Sequence, residues 1–164
     1  MAKITLEGND INTNGELPSV GSQAPDFKLT GKDMEDKTLA DFAGKKKILN
    51  IVVSLDTGIC ETSAKKFSDA AGDNAAVLVI SADLPFAQAR VCDAAGADKA
   101  ITLSMMRSKN FGKDYGVLIQ DGPLAGLCAR SVVILDENNK VLYTEQVPEI
   151  AQDPDYEKAL AALN

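Results

Sequence analysis

The sequence predicts an α/β domain in three layers around a mixed central sheet, and three observations carry that prediction. Two apolar runs, Ile48-Leu49-Asn50-Ile51-Val52-Val53 and Ala76-Val77-Leu78-Val79-Ile80-Ser81, are too continuous for strands with one wet face, so both faces should be covered. Between them, Glu61 to Ala71 repeats Ala64, Phe67 and Ala70 or Ala71 on one helical face, which makes a βαβ unit with parallel strands. Further on, Ser131–Leu135 and Val141–Glu145 are joined by the polar stretch Asp136-Glu137-Asn138-Asn139-Lys140, the pattern of an antiparallel hairpin.

The remaining elements follow in order. Ile4 and Leu6 alternate with polar residues, Ile11 and Thr13 follow, and Asn14-Gly15 is a tight-turn signal, so a small hairpin is expected at the start. Pro18, Gly21 and Pro25 mark irregular backbone before a short strand at Phe27-Lys28-Leu29. Asp83 is placed to cap a second helix with Pro85 in its first turn; its apolar stripe is Leu84, Ala87, Val91 and Ala94, and Gly96 closes it. A last helix begins near Pro154 and turns Tyr156, Leu160 and Leu163 inward. No repeat or linker divides the 164 residues, so a single domain over 1–164 is expected.

Composition narrows the chemistry. Seventeen basic and twenty-four acidic residues leave a formal charge of −7, the wrong sign for binding a phosphate backbone. Lys45-Lys46-Lys47 reads as the solvated mouth of a strand. No apolar run is long enough to cross a bilayer. The opening Met1-Ala2-Lys3-Ile4-Thr5-Leu6-Glu7 has no apolar signal core, so a cytoplasmic location is expected. The sequence has no histidine. Ser-His-Asp triads and Cys-His dyads are thereby excluded, and the commonest ligand of zinc, copper and haem is missing. Three cysteines, at 60, 92 and 128, include no Cys-x-x-Cys pair, so no metal site and no cofactor are expected.

Cys60 falls just after the strand that ends near Ser54, in the first turn of the next helix. Free backbone N–H groups and the helix dipole favour a negative sulfur at such a place. A free thiol, with a pKa of about 8.5, is only a few per cent thiolate at neutral pH. Helix N-termini and neighbouring cations lower such values to roughly 3.5–7.5. Thr57, three residues earlier, can turn its hydroxyl toward the same pocket. Most free cysteines are buried apolar fillers, and position alone leaves both readings of Cys60 open. The same holds for Cys92, which sits beside Val91 at the edge of the apolar stripe. Arg130 lies in the apolar context Leu127-Cys128-Ala129-Arg130-Ser131-Val132-Val133; it must pair with a carboxylate or face a pocket. Cys128 is either a small filler or a neighbour of that pocket, and Asp121-Gly122-Pro123 reads as a turn. Phe86, Leu118, Met105 and Met106 suit either an apolar collar around a substrate or ordinary core.

Four segments together resemble the thiol-peroxidase branch of the peroxiredoxins. They are Ser54-Leu55-Asp56-Thr57-Gly58-Ile59-Cys60; Ser81-Ala82-Asp83-Leu84-Pro85-Phe86-Ala87-Gln88, leading into Cys92; Asp121-Gly122-Pro123-Leu124-Ala125-Gly126-Leu127, leading into Arg130; and Val147-Pro148-Glu149-Ile150 with Pro154-Asp155-Tyr156. The resemblance spans essentially the whole chain. It implies a thioredoxin-like order of elements and an atypical two-cysteine peroxidase, bacterial in origin. By it, Cys60 is the peroxidatic cysteine, Thr57 its hydroxyl partner, Arg130 the group that polarises the peroxide, and Cys92 the resolving cysteine of the same subunit. It also implies hydroperoxide substrates, bulky alkyl peroxides included, with thioredoxin as reductant and a homodimer. One departure is Val53, where the family usually has proline.

A disulfide needs Cα atoms within about 7 Å. Cysteines on two successive helices should therefore need local unwinding before they join. Two competing classes remain: a cysteine acyltransferase, opposed by the missing histidine, and a non-catalytic thiol–disulfide redox sensor that binds a partner.

Overall fold

The computed structural model describes residues 1–164. It opens with β1 (Lys3–Leu6) and β2 (Asn9–Asn12), an antiparallel pair in which Ile4 faces Ile11 and both are buried. The hairpin closes at Glu7-Gly8, not at the expected Asn14-Gly15. Both of those residues have positive φ, 51° and 80°, as a two-residue turn of matching twist requires. Asn14 instead exchanges hydrogen bonds with Leu118: its amide donates to the Leu118 carbonyl and its side-chain oxygen accepts from the Leu118 amide.

The main sheet comprises β3 (Leu29–Gly31), β4 (Asp36–Lys37), β5 (Lys46–Ile51), β6 (Ala75–Ser81), β7 (Ala100–Ser104), β8 (Ser131–Leu135) and β9 (Val141–Gln146). Its spatial order is β4-β3-β7-β6-β5-β8-β9. The β5–β6 and β6–β7 pairs are parallel; the other pairs are antiparallel, so the sheet is mixed as expected. The continuous apolar runs form the centre, and their side chains alternate between two cores. Leu49, Ile51, Leu78 and Ile80 join Phe27, Phe111 and Tyr115 on one face. Ile48, Val52, Val77 and Val79 join Phe67, Cys60 and Cys92 on the other. Covering both faces explains why neither strand shows a polar stripe.

Four helices complete the layers: α1 (Gly58–Ala71), α2 (Pro85–Ala95), α3 (Asn110–Asp114) and α4 (Tyr156–Ala161). β7 and α3 are additions to what the sequence predicts. In α4, Ala159 is fully buried, while Tyr156 and Leu160, with Leu163 just beyond the helix, pack half-buried against the Phe67 core. Its cap is Asp155, whose carboxylate accepts from the Lys158 amide.

α2 departs from expectation on two counts. Its N-cap is Leu84, and Asp83 spends its carboxylate elsewhere. Its buried face is Pro85, Gln88 and Cys92, whereas Leu84 is 55% exposed and Ala87 and Ala94 face solvent. The polar Gln88 belongs inside because its amide donates to the Ser81 hydroxyl and the Leu103 carbonyl. Gly96 ends the helix in the left-handed conformation, φ 72°.

Candidate active site

The site forms where the chain leaves the centre of the sheet. After β5 ends, the Val52 amide still bonds the Ile80 carbonyl, and residues 54–56 then bend toward α1. Thr57 takes the N-cap position in extended conformation, φ −134° and ψ 147°. Its hydroxyl donates to the Ser54 carbonyl at 2.9 Å, so it braces the loop and does not touch the sulfur. Cys60 is the third residue of α1 and is fully buried. Its carbonyl accepts from the Ser63 hydroxyl, which in turn accepts from Asn50 of β5, so strand and helix are joined beneath the sulfur.

Arg130 comes from the segment just before β8 and is buried. Its Nη1 donates to Cys60 Sγ at 3.0 Å and its Nε to the Ile150 carbonyl at 2.9 Å. The carboxylate pairing that its apolar context left open does not form. The guanidinium meets the Cys60 sulfur instead, with Ile150 fixing its plane. A buried charge needs such partners. The remaining N–H groups of Arg130 donate to no protein acceptor.

Cys92 lies on the buried face of α2, in the same apolar core as Cys60. Burial, with the Asp93 and Glu61 carboxylates, pushes its thiol up to about 11. Neither cysteine is in a disulfide. Cys128 is in the other core, its Sγ 3.5 Å from Met105 Sδ, and burial pushes its thiol up to about 12. It is separated from Cys60 by the sheet and fills space. Met105 and Leu118 are also part of that core, and Phe86 is 68% exposed on α2, so the four candidates for an apolar collar do not assemble into one.

Sequence reasoning missed two further residues. Asp83 accepts hydrogen bonds from the Ser54 hydroxyl and the Leu55 amide, both at 2.7 Å. Tyr156 packs on Phe67 with ring centroids 5.2 Å apart, under Lys66 at 4.6 Å. Its phenol is held protonated chiefly by burial and by Asp153. Ser54 and Asp83 are 29 residues apart, and no local pattern announces their pairing. Val53 is buried among Ile4, Ile11, Ile119, Ala129 and Ile150, and its amide makes no backbone hydrogen bond. Valine thus occupies a position where proline would forfeit no bond.

The family model described as Redoxin matches residues 19–160. The chain belongs to that family. Thiol peroxidases of Mycobacterium bovis and Mycobacterium tuberculosis are each 54% identical to it over 164 residues, with 99% of both chains covered. Among solved structures, a peroxiredoxin-like protein of Aquifex aeolicus superposes with a TM-score of 0.91 at 36% identity, over 99% of this chain and 96% of that one. A thiol peroxidase of Chromobacterium violaceum gives 0.87 at 24% identity, over 95% and 91%, which speaks for the shared fold. With full-length relatives of this identity, the chain is a thiol-dependent peroxidase with a thioredoxin-like fold. No helix in it is long and apolar enough to cross a membrane.

Proposed function

We propose that this peroxidase reduces hydrogen peroxide and organic hydroperoxides through Cys60, closes an intramolecular disulfide with Cys92, and is recycled by thioredoxin. The observation that carries the reading is the Arg130 Nη1 contact, 3.0 Å from a fully buried sulfur in the first turn of α1. The thiolate of Cys60 attacks one peroxide oxygen and the O–O bond breaks. Arg130 and the free amides of the first turn stabilise the charge on both oxygens. The leaving oxygen takes a proton and departs as water or alcohol, and Cys60, oxidised by two electrons, becomes a sulfenic acid. Thr57 holds the loop from which the helix starts, with the lone pairs of its hydroxyl open to a peroxide O–H.

The Cys92 sulfur then attacks the sulfenic sulfur. The S–S bond forms, the S–O bond breaks, and the oxygen leaves as water. Two electrons from the dithiol of thioredoxin restore both thiols. A single domain over residues 1–164, a cytoplasmic location and a homodimer accord with this reading. It is supported by the family match and by the absence of histidine, which leaves arginine and backbone to activate the thiol.

The test is NADPH consumption with thioredoxin and its reductase, started by cumene hydroperoxide, for the wild type, Cys60→Ser and Cys92→Ser. Turnover in the wild type that falls to background in both variants is expected. Undiminished turnover in Cys60→Ser would sink the assignment. A disulfide without turnover would favour the redox-sensor alternative.

A further inference from the structure

We propose that Asp83 is a latch on the Cys60 loop, and that its hold on Ser54 and Leu55 sets how often Cys60 is released toward Cys92. The proposal rests on the two-cysteine reading above and adds a positioning residue to it.

Asp83 lies between β6 and α2, outside the contacts of the reacting sulfur. Its Oδ1 accepts from the Ser54 hydroxyl, and its Oδ2 accepts from the Leu55 amide and the Ser81 hydroxyl, all at 2.7 Å. No cation pairs with it, so its charge is spent on three short bonds from neutral donors, the strong charge-assisted kind. Its carbonyl accepts from the Ser104 hydroxyl at 2.5 Å. Behind it, the fully buried Gln88 donates to the Ser81 hydroxyl at 3.0 Å and the Leu103 carbonyl at 2.9 Å. The latch is therefore seated on β6, β7 and α2, the helix that carries Cys92.

On its other side it reaches the start of α1. The Ser54 carbonyl that Asp83 keeps in place is the acceptor for the Thr57 hydroxyl, and Thr57 is the N-cap of the Cys60 helix. The Ser54 hydroxyl also accepts from the Asp56 amide at 3.3 Å. From Asp83 to the helix cap, the connection runs through hydrogen bonds and three peptide units. Both sulfurs are buried in the closed arrangement, which suits peroxide reduction but keeps Cys60 in place beside Arg130. A tight latch preserves the reactive geometry and lengthens the life of the sulfenic acid, which a second peroxide converts to sulfinic acid. A loose one favours the disulfide.

The test uses the full chain as Asp83→Asn and as Ser54→Ala. Asn presents an NH2 group to at least one of the three donors, which is expected to raise opening about tenfold, the scale of one charged hydrogen bond. Three quantities follow: disulfide closure after one equivalent of peroxide, the peroxide dose that converts half of Cys60 to sulfinic acid, and amide exchange of residues 54–62 in the reduced protein. For Asp83→Asn, closure and the half-sulfinic dose should each rise about tenfold. Exchange should rise over 54–62 while β6 stays protected. Ser54→Ala, which loses one of the three bonds, should move all three readouts the same way by a few-fold, and it decides alone if Asp83→Asn does not fold. Unchanged closure and sulfinic dose would overturn the latch, as would protection lost throughout β5 and β6 with slower closure. A wild type that forms no Cys60–Cys92 disulfide would overturn the underlying reading instead.

Discussion

Cys60 and Cys128 are both fully buried cysteines, one on each face of the same sheet. Cys128 meets the sulfur of Met105 and a wall of apolar side chains, and burial, with the Asp83 carboxylate, pushes its thiol far up. Cys60 is just as inaccessible, yet it has a guanidinium at 3.0 Å and sits where a helix begins. If Cys60 is the reactive thiol, as proposed, burial does not distinguish it from Cys128. The difference lies in what the protein points at the sulfur, and in whether the backbone carrying it can come away. Cys128 is tied between Leu118 and β8, whereas Cys60 is mounted on a bend held by side chains.

That contrast is open to measurement. Arg130→Lys should cut the second-order rate with peroxide by about 10²–10³, since removing a preorganised donor to a developing oxyanion has that effect. Lysine cannot bond the Ile150 carbonyl and the sulfur together in the planar geometry of arginine. Stopped-flow oxidation of Cys60 would read it, and a rate within threefold of wild type would remove Arg130 from the chemistry.

The pH dependence of ring closure should be smaller. The Cys92 thiol is held up to about 11 in the closed helix, against about 8.5 for an exposed thiol. The closed state keeps the full benefit of a neutral Cys92 below about pH 8.5, and it loses that benefit as pH climbs toward 11. Closure should quicken several-fold between pH 8 and 10, and a flat profile would contradict this. Smallest of all, Cys128→Ala should leave peroxide turnover as it is. It should lower stability by about 1–2 kcal/mol for the cavity left in the core, measured by urea unfolding. A turnover loss would bring Cys128 into the site.

Much of this arrangement could be read from residue order, for identifiable reasons. The central strands announce themselves because both faces are covered, so apolar residues run almost unbroken along them. Cys60 and Arg130 stand out against their surroundings, one at a strand-to-helix junction and the other as a charge among hydrophobic neighbours. The inner face of α2 was hidden because Gln88, satisfied by two hydrogen bonds, lies inward where hydropathy would put Ala87. The hairpin turn was misplaced because register, fixed by Ile4 against Ile11, outranks an Asn-Gly pair that begins two residues beyond the strand. Asp83 resembles a helix cap by position and is claimed by Ser54, a partner visible only once the sheet is assembled.

The Asn50–Ser63 bond beneath Cys60 has a mechanical consequence. On the proposed two-cysteine cycle, peeling of α1 from its cap proceeds through Gly58, Ile59, Cys60, Glu61 and Thr62, and then meets a residue fastened to the central strand. The excursion is confined to little more than one turn, about 5.4 Å of helix, and the fixed remainder serves as a template on which the freed residues rewind. On that cycle the stroke is short by construction, and its return begins from a nucleus already in place.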